Sequence, residues 1–322
     1  MLENIWRQWT AIGVAGQVEN PASSLIDPEA ILLCTLALGR YDARLFDEII
    51  DWLYVNGEFI NVQRLTALQE QYKFDAAPQL SAIAEYLSQK SEYRLKWQRV
   101  SELYKTDGEH ALFYTVTGKP LPVGNDRDGY FLKKGLIRNK VTLRHYSSPF
   151  PVEGAPSLLL RLRALIGVSA RSELICVLAG ETEVHSAQVA RLTGYNRKTV
   201  QNALREMSRS GVVECRESER EKYYRMKAFP FDPNTPEKVQ WISWAPLYKG
   251  IEILWNGLAE EKEDPLVASS QLRQTAKNAQ KYFEESQTGI YLTEPSRTPG
   301  ADYIDVYTTD LHRIADEFER KV

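Results

Sequence analysis

No stretch of this 322-residue sequence approaches the ~20 consecutive apolar residues needed to cross a bilayer. Its start, MLENIWRQWTAIG, lacks a basic-then-apolar leader pattern, so the chain is expected to be cytoplasmic and not membrane-bound. Cysteine is scarce. Cys34, Cys176 and Cys215 stand far apart, with no CxxC pair, and each lies in an apolar or strand-like stretch. They read as small reduced core residues, not as a disulfide framework. The four histidines are equally scattered, and no spacing among them suits a metal ion. A glycine-rich phosphate loop, a nucleophile motif and clustered metal ligands are also missing, which argues against an enzyme and a bound cofactor.

Net charge is small, −3, but unevenly spread. From His185 to Lys227 there are ten Lys/Arg against five Glu, a net +5, so the rest of the chain carries −8. A basic island in an acidic protein points to local contact with nucleic acid.

Three Pro/Gly-rich segments punctuate the sequence, at 116–129, 147–157 and 229–237. They suggest a helical domain at 1–110, an extended connection at 111–157, a middle domain at 158–230 and a mainly helical domain at 231–322. Helices are predicted at 28–38, 43–55 and from Asn61 to about Tyr72, capped by Asp27, Asp42 and Asn61 respectively. Further helices are predicted at 77–87, 93–104, 158–166, 245–258, 265–283 and 309–318. Short strands are expected at 112–116, 129–132, 140–146 and 289–292. The seven tryptophans read as core or interface anchors. RNKVTLRH (138–145) holds an arginine and a histidine at a nuclease-like spacing, but Val141 and Thr142 favour extended chain. A basic arm including Lys133, Lys134, Lys140 and Arg144 is the reading preferred there.

The informative stretch is 171–227. Leu174, Ile175 and Leu178 give a first helix its buried face. Ser186 is placed to cap a short second helix, and Gly194 ends it. Asn196 can cap a third helix, whose Val200, Ala203, Leu204 and Met207 recur at helical spacing. Its opposite face offers Arg197, Lys198, Thr199, Gln201, Asn202, Arg205 and Arg209. Such groups donate to phosphates, and arginine, glutamine and asparagine also pair with base edges in the major groove. After Gly211, VVECR (212–216), a polar turn and KYYRM (222–226) read as a hairpin. Its Arg216, Arg220, Lys222 and Arg225 would track the backbone beside the groove, joined by Ser186 and Arg191 of the second helix.

SAQVARLTGYNRKTVQNALREMSRSGVVECR followed by KYYR resembles the winged helix-turn-helix of bacterial repressors of the MarR and ArsR kind. The resemblance covers 57 of the 322 residues. It implies a mainly α fold with a small β wing, flanked here by helical domains. It also implies sequence-specific binding of double-stranded DNA and regulation of transcription, as a repressor. A homodimer is expected from the usual match between protein and operator symmetry. The flanking domains would hold a small-molecule effector or a protein partner. The alternative is a protein-interaction module, such as the antitoxin-like partner in a two-gene system, using the winged helix for autorepression or protein binding.

Overall fold

Three short polar side chains start the N-terminal helices. Asp27 accepts from the Ala30 amide at 3.2 Å, Asp42 from Leu45 at 3.0 Å and Asn61 from Arg64 at 3.1 Å. Each satisfies an amide that the first helical turn leaves free. The helices are α1 (Leu2–Ala11), α2 (Pro28–Leu38), α3 (Ala43–Asn56), α4 (Val62–Tyr72), α5 (Ala77–Leu87) and α6 (Arg94–Ser101). The computed structural model describes residues 1–89, 94–104, 108–218, 221–227, 239–259 and 264–322. The proline-rich segment expected at 229–237 lies outside these residues, as do Glu219 and Arg220 of the hairpin turn.

The extended region is less stranded than its sequence suggests. β1 (His110–Ala111) pairs in parallel with β2 (Leu136–Ile137), but between them residues 129–132 form a helical turn, α7 (Gly129–Leu132). Asp128 is the cause: its carboxylate accepts from the Tyr130, Phe131 and Val141 amides at 2.9, 3.2 and 3.0 Å. Residues 112–116 and 140–146, all described, form no strand. The Asp51 carboxylate takes the amides of His145, Tyr146 and Ser147 at 2.9, 2.9 and 3.0 Å, leaving none of them for a ladder. The cations of the expected basic arm are largely bound within the protein: Lys133 to Glu85, Lys134 to the Ser101 carbonyl, Arg144 to Glu48.

The middle of the chain folds around its own core. Its elements are α8 (Leu158–Ile166), α9 (Ala170–Gly180), β3 (Val184–His185), α10 (Ser186–Thr193), α11 (Arg197–Arg209), β4 (Val213–Ser218) and β5 (Glu221–Met226). Leu159, Leu174, Leu178, Val189, Val200 and Leu204 are buried together between them. The sheet order is β3-β5-β4, antiparallel throughout, with Val184 opposite Tyr224 and Glu214 opposite Arg225. β3 leaves no mark in the sequence, because two residues are too short to show a period.

The chain then returns through α12 (Trp244–Ala259), α13 (Pro265–Ser286) and α14 (Tyr303–Glu319). Residues 289–292, expected as a strand, form none, since the Leu292 amide is held by the Gln280 side chain at 2.8 Å. α12 and α13 lie close: a Cβ on Gly250 would come within 2.6 Å of the Phe283 ring. Although residues 1–110 and 231–322 read as separate domains, their helices share one apolar core. Every residue of α2 is buried. Trp9 meets Trp52 edge-to-face at 5.1 Å, and Trp244 stacks on Tyr248 at 5.4 Å. The protein is thus mainly helical with a small sheet, and no helix among the described residues is long and apolar enough to cross a membrane.

Candidate nucleic-acid interface

α10 and α11 meet at a turn that needs glycine. Gly194 sits at φ +76°, and a Cβ there would lie 2.8 Å from the Leu68 side chain on α4. The left-handed backbone and the close approach both select glycine. Asn196 follows and caps α11, its carboxamide oxygen accepting from the Thr199 amide at 2.9 Å. The expected cap of α10 moves by one residue. His185 performs it, Nδ1 accepting from the Ala187 amide at 3.2 Å, while Ser186 is the first helical residue and is buried.

Burial of Val200, Ala203, Leu204 and Met207 turns the other face of α11 to solvent. Arg197, Lys198, Asn202, Arg205 and Arg209 are exposed, with Thr199 and Gln201 half-buried. Among the described residues, none of the four cations on this helix is in an ion pair. The same holds for the exposed Arg191 of α10. Glu206, the acid within α11, is bound to Arg171 of α9 instead.

Between α11 and the β4–β5 hairpin runs a groove of about 620 Å³, lined by Arg197, Gln201, Arg205 and Arg209 on one side and Cys215 and Lys222 on the other. Ser186 and Tyr224 also line it. Burial, and then the neighbouring Cys215, push the Tyr224 phenol up from its ordinary value. Cys215 and Tyr224 line the groove too, with no charge to mark them in the sequence.

The hairpin divides its cations between two faces. Side chains alternate along a strand, so Lys222 shares the groove face with Cys215 and Tyr224, while Arg216 and Arg225 lie on the opposite face with Tyr223. Arg216 grips Glu183 through two hydrogen bonds, at 3.0 and 2.8 Å, and Arg225 binds Glu214 at 2.7 Å. Lys222 is bound to Glu217. Hydrogen bonding to Arg216 holds the Glu183 carboxyl below its ordinary value, and Lys222 does the same to Glu217. Of the hairpin cations singled out, Arg216, Lys222 and Arg225 are therefore compensated, and Arg220 lies outside the described residues. The Glu214–Arg225 pair was legible once the hairpin register is drawn. Glu183 was not, because it depends on the unforeseen β3.

Beneath the turn lies a buried charge cluster that joins the two cores. Arg64 of α4 donates to Asp27 at 2.6 and 2.5 Å, to Glu29 at 2.8 Å, and through Nε to the Thr193 carbonyl at 2.8 Å. Arg163 of α8 donates to both Glu29 oxygens at 2.7 Å and to Glu173 at 2.5 Å. The Tyr195 hydroxyl donates to Glu173 at 3.1 Å and accepts from Asn61 at 2.7 Å. Burial alone would raise the Glu29 carboxyl, but Arg163 and then Arg64 overcome it and hold the group below its ordinary value. Arg64 is 2% exposed and faces inward.

Comparison with protein-family models, with curated proteins and with solved structures finds no match to the chain.

Proposed function

We propose that the chain is a sequence-specific double-stranded DNA-binding regulator of transcription, acting in the cytoplasm as a homodimeric repressor without catalysis. The observation that carries this reading is the exposed face of α11, where Arg197, Lys198, Arg205 and Arg209 have no ion-pair partner among the described residues. Cations left unpaired beside Gln201 and Asn202 combine phosphate neutralisation with groups able to pair with base edges. The order α9, β3, α10, glycine turn, α11 and hairpin supports a winged helix-turn-helix, with the N-terminal half of α11 entering the major groove. The positive end of the α11 dipole adds to the attraction.

Fluorescence anisotropy of the purified protein against its own upstream region and a scrambled duplex tests the reading. Nanomolar affinity for the first duplex is expected, falling with salt at a log–log slope of about −0.9 for each phosphate neutralised. Equal, feeble binding to both duplexes would sink autoregulation and turn attention to a protein partner.

Charge compensation on the hairpin gives a second expectation. Arg216 and Arg225 are engaged by Glu183 and Glu214, so the Arg216→Ala/Arg225→Ala double variant should lose less than about threefold in affinity. A loss equal to that from Arg197→Ala/Arg205→Ala would mean that these pairs open on DNA and the hairpin contributes as much as the helix.

A further inference from the structure

A polar cavity of about 550 Å³ opens between the two cores, a volume suited to a small molecule. Its walls come from residues 23–25, from α10 and the chain at 239–243, and from the ends of α13 and α14. Gln188, Gln240, Gln287, Arg320 and Lys321 all line it, and among the described residues none of these side chains has a hydrogen-bond or ion-pair partner. Arg320 and Lys321 are the cations among its lining residues and Glu181 the acid, so positive charge is in excess there. Ser23 and Thr288 add hydroxyls, and Trp241 and Leu192 supply an apolar wall. Donors, acceptors, excess positive charge and one flat apolar face together match a polyhydroxylated molecule bearing an anionic group.

The wall nearest α11 is connected to it. The Trp241 indole donates to the Leu192 carbonyl at 3.0 Å, near the C-terminal end of α10, and the Arg64 guanidinium lies 5.8 Å from the Trp241 ring centre. Arg64 in turn holds the Thr193 carbonyl next to Gly194. A molecule packed on Trp241, Gln188 and Leu192 therefore touches both the helix that precedes the turn and the residue beside the buried charge cluster.

We propose that this cavity is a regulatory site for a small polyhydroxylated anion, such as a phosphorylated sugar or a sugar acid. Its occupancy shifts the α10–α11 turn and so the affinity for DNA. The coupling rests on the DNA-binding reading; the site itself does not. A ligand changes an equilibrium only through different affinities for two states, and the effect is reciprocal.

Isothermal titration calorimetry of the full chain with glucose 6-phosphate, gluconate and glucose tests the site at constant ionic strength. Saturable binding of at least one anion is expected, with glucose about tenfold weaker or more. Arg320→Ala/Gln240→Ala, both exposed and so tolerable to the fold, should weaken the anion by about tenfold as well. No saturable heat from either anion up to roughly 10 mM, an affinity of only about 3 kcal/mol, overturns the site. Binding undiminished in the double variant overturns it too. Anisotropy with the duplex then tests the coupling: the anion and the duplex should change each other's affinity by the same factor. An anion that binds without moving the duplex affinity overturns the coupling alone. A chain that takes the anion yet binds no duplex overturns the coupling and the DNA-binding reading together, leaving the site standing.

Discussion

Replacing Arg197, Lys198 and Arg205 together by alanine should lower affinity for the upstream duplex by at least about a hundredfold, since contacts of this kind contribute about 1–3 kcal/mol each. The salt slope should become shallower by nearly one for each phosphate that is no longer neutralised. All three side chains are exposed and lack an ion-pair partner among the described residues, so their removal opens no cavity and strands no buried charge. The melting temperature should stay where it was. Anisotropy across a salt series, beside a thermal melt, checks both halves. Affinity retained to within about threefold would show that α11 does not face DNA. Preserved capture of a protein partner by the same variant would favour the interaction-module reading.

The second large effect concerns stability. Arg163→Met should cost about 3–5 kcal/mol, because it leaves Glu29 and Glu173 in the interior without their shared cation. That is a large part of the ~5–15 kcal/mol that holds a typical domain folded. Arg171→Ala removes a single ion-pair contact between half-exposed side chains and should cost no more than about 1 kcal/mol. Urea unfolding of the two variants beside the parent protein makes the comparison. Equal costs would mean that water reaches the buried cluster. The cluster also has a pH signature. The native Glu29 carboxyl lies below its reference value of 4.5, so its contribution is complete above that pH. It is lost only as pH falls through the lower native value. Acid should therefore loosen the cluster below, not above, the ordinary glutamate range.

Local chemistry was legible where one residue decides a local geometry. Asp27, Asp42, Asn61 and Asn196 cap the helices expected of them, and Gly194 has the left-handed backbone that ends α10. The apolar stripe of α11 and its polar face follow from a single helical period. What stayed hidden depends on partners distant in sequence. Residues 140–146 have strand-forming side chains, yet Asp51, on α3, claims the amides of His145 and Tyr146. Arg163 reads as a cation interrupting an apolar helix, and its reason for being there lies in Glu29 and Glu173. The hairpin cations look free until Glu183 and Glu214 are brought beside them. The two flanking segments look independent because a shared core leaves no mark in either one alone.

That shared core has a consequence for how the chain is made. α2 is buried along its whole length, partly against α12, which follows after well over half the chain has been synthesised. During translation the N-terminal helices emerge with a face that nothing yet covers. The segment at 158–227 meets no such delay, since nearly all of its apolar partners lie within it. Domains generally form in order of synthesis, and exposed apolar surface invites aggregation while it lasts. The order expected here is inverted: the inserted unit is able to complete itself first, and the body that carries it closes last, when α12 arrives to cover α2.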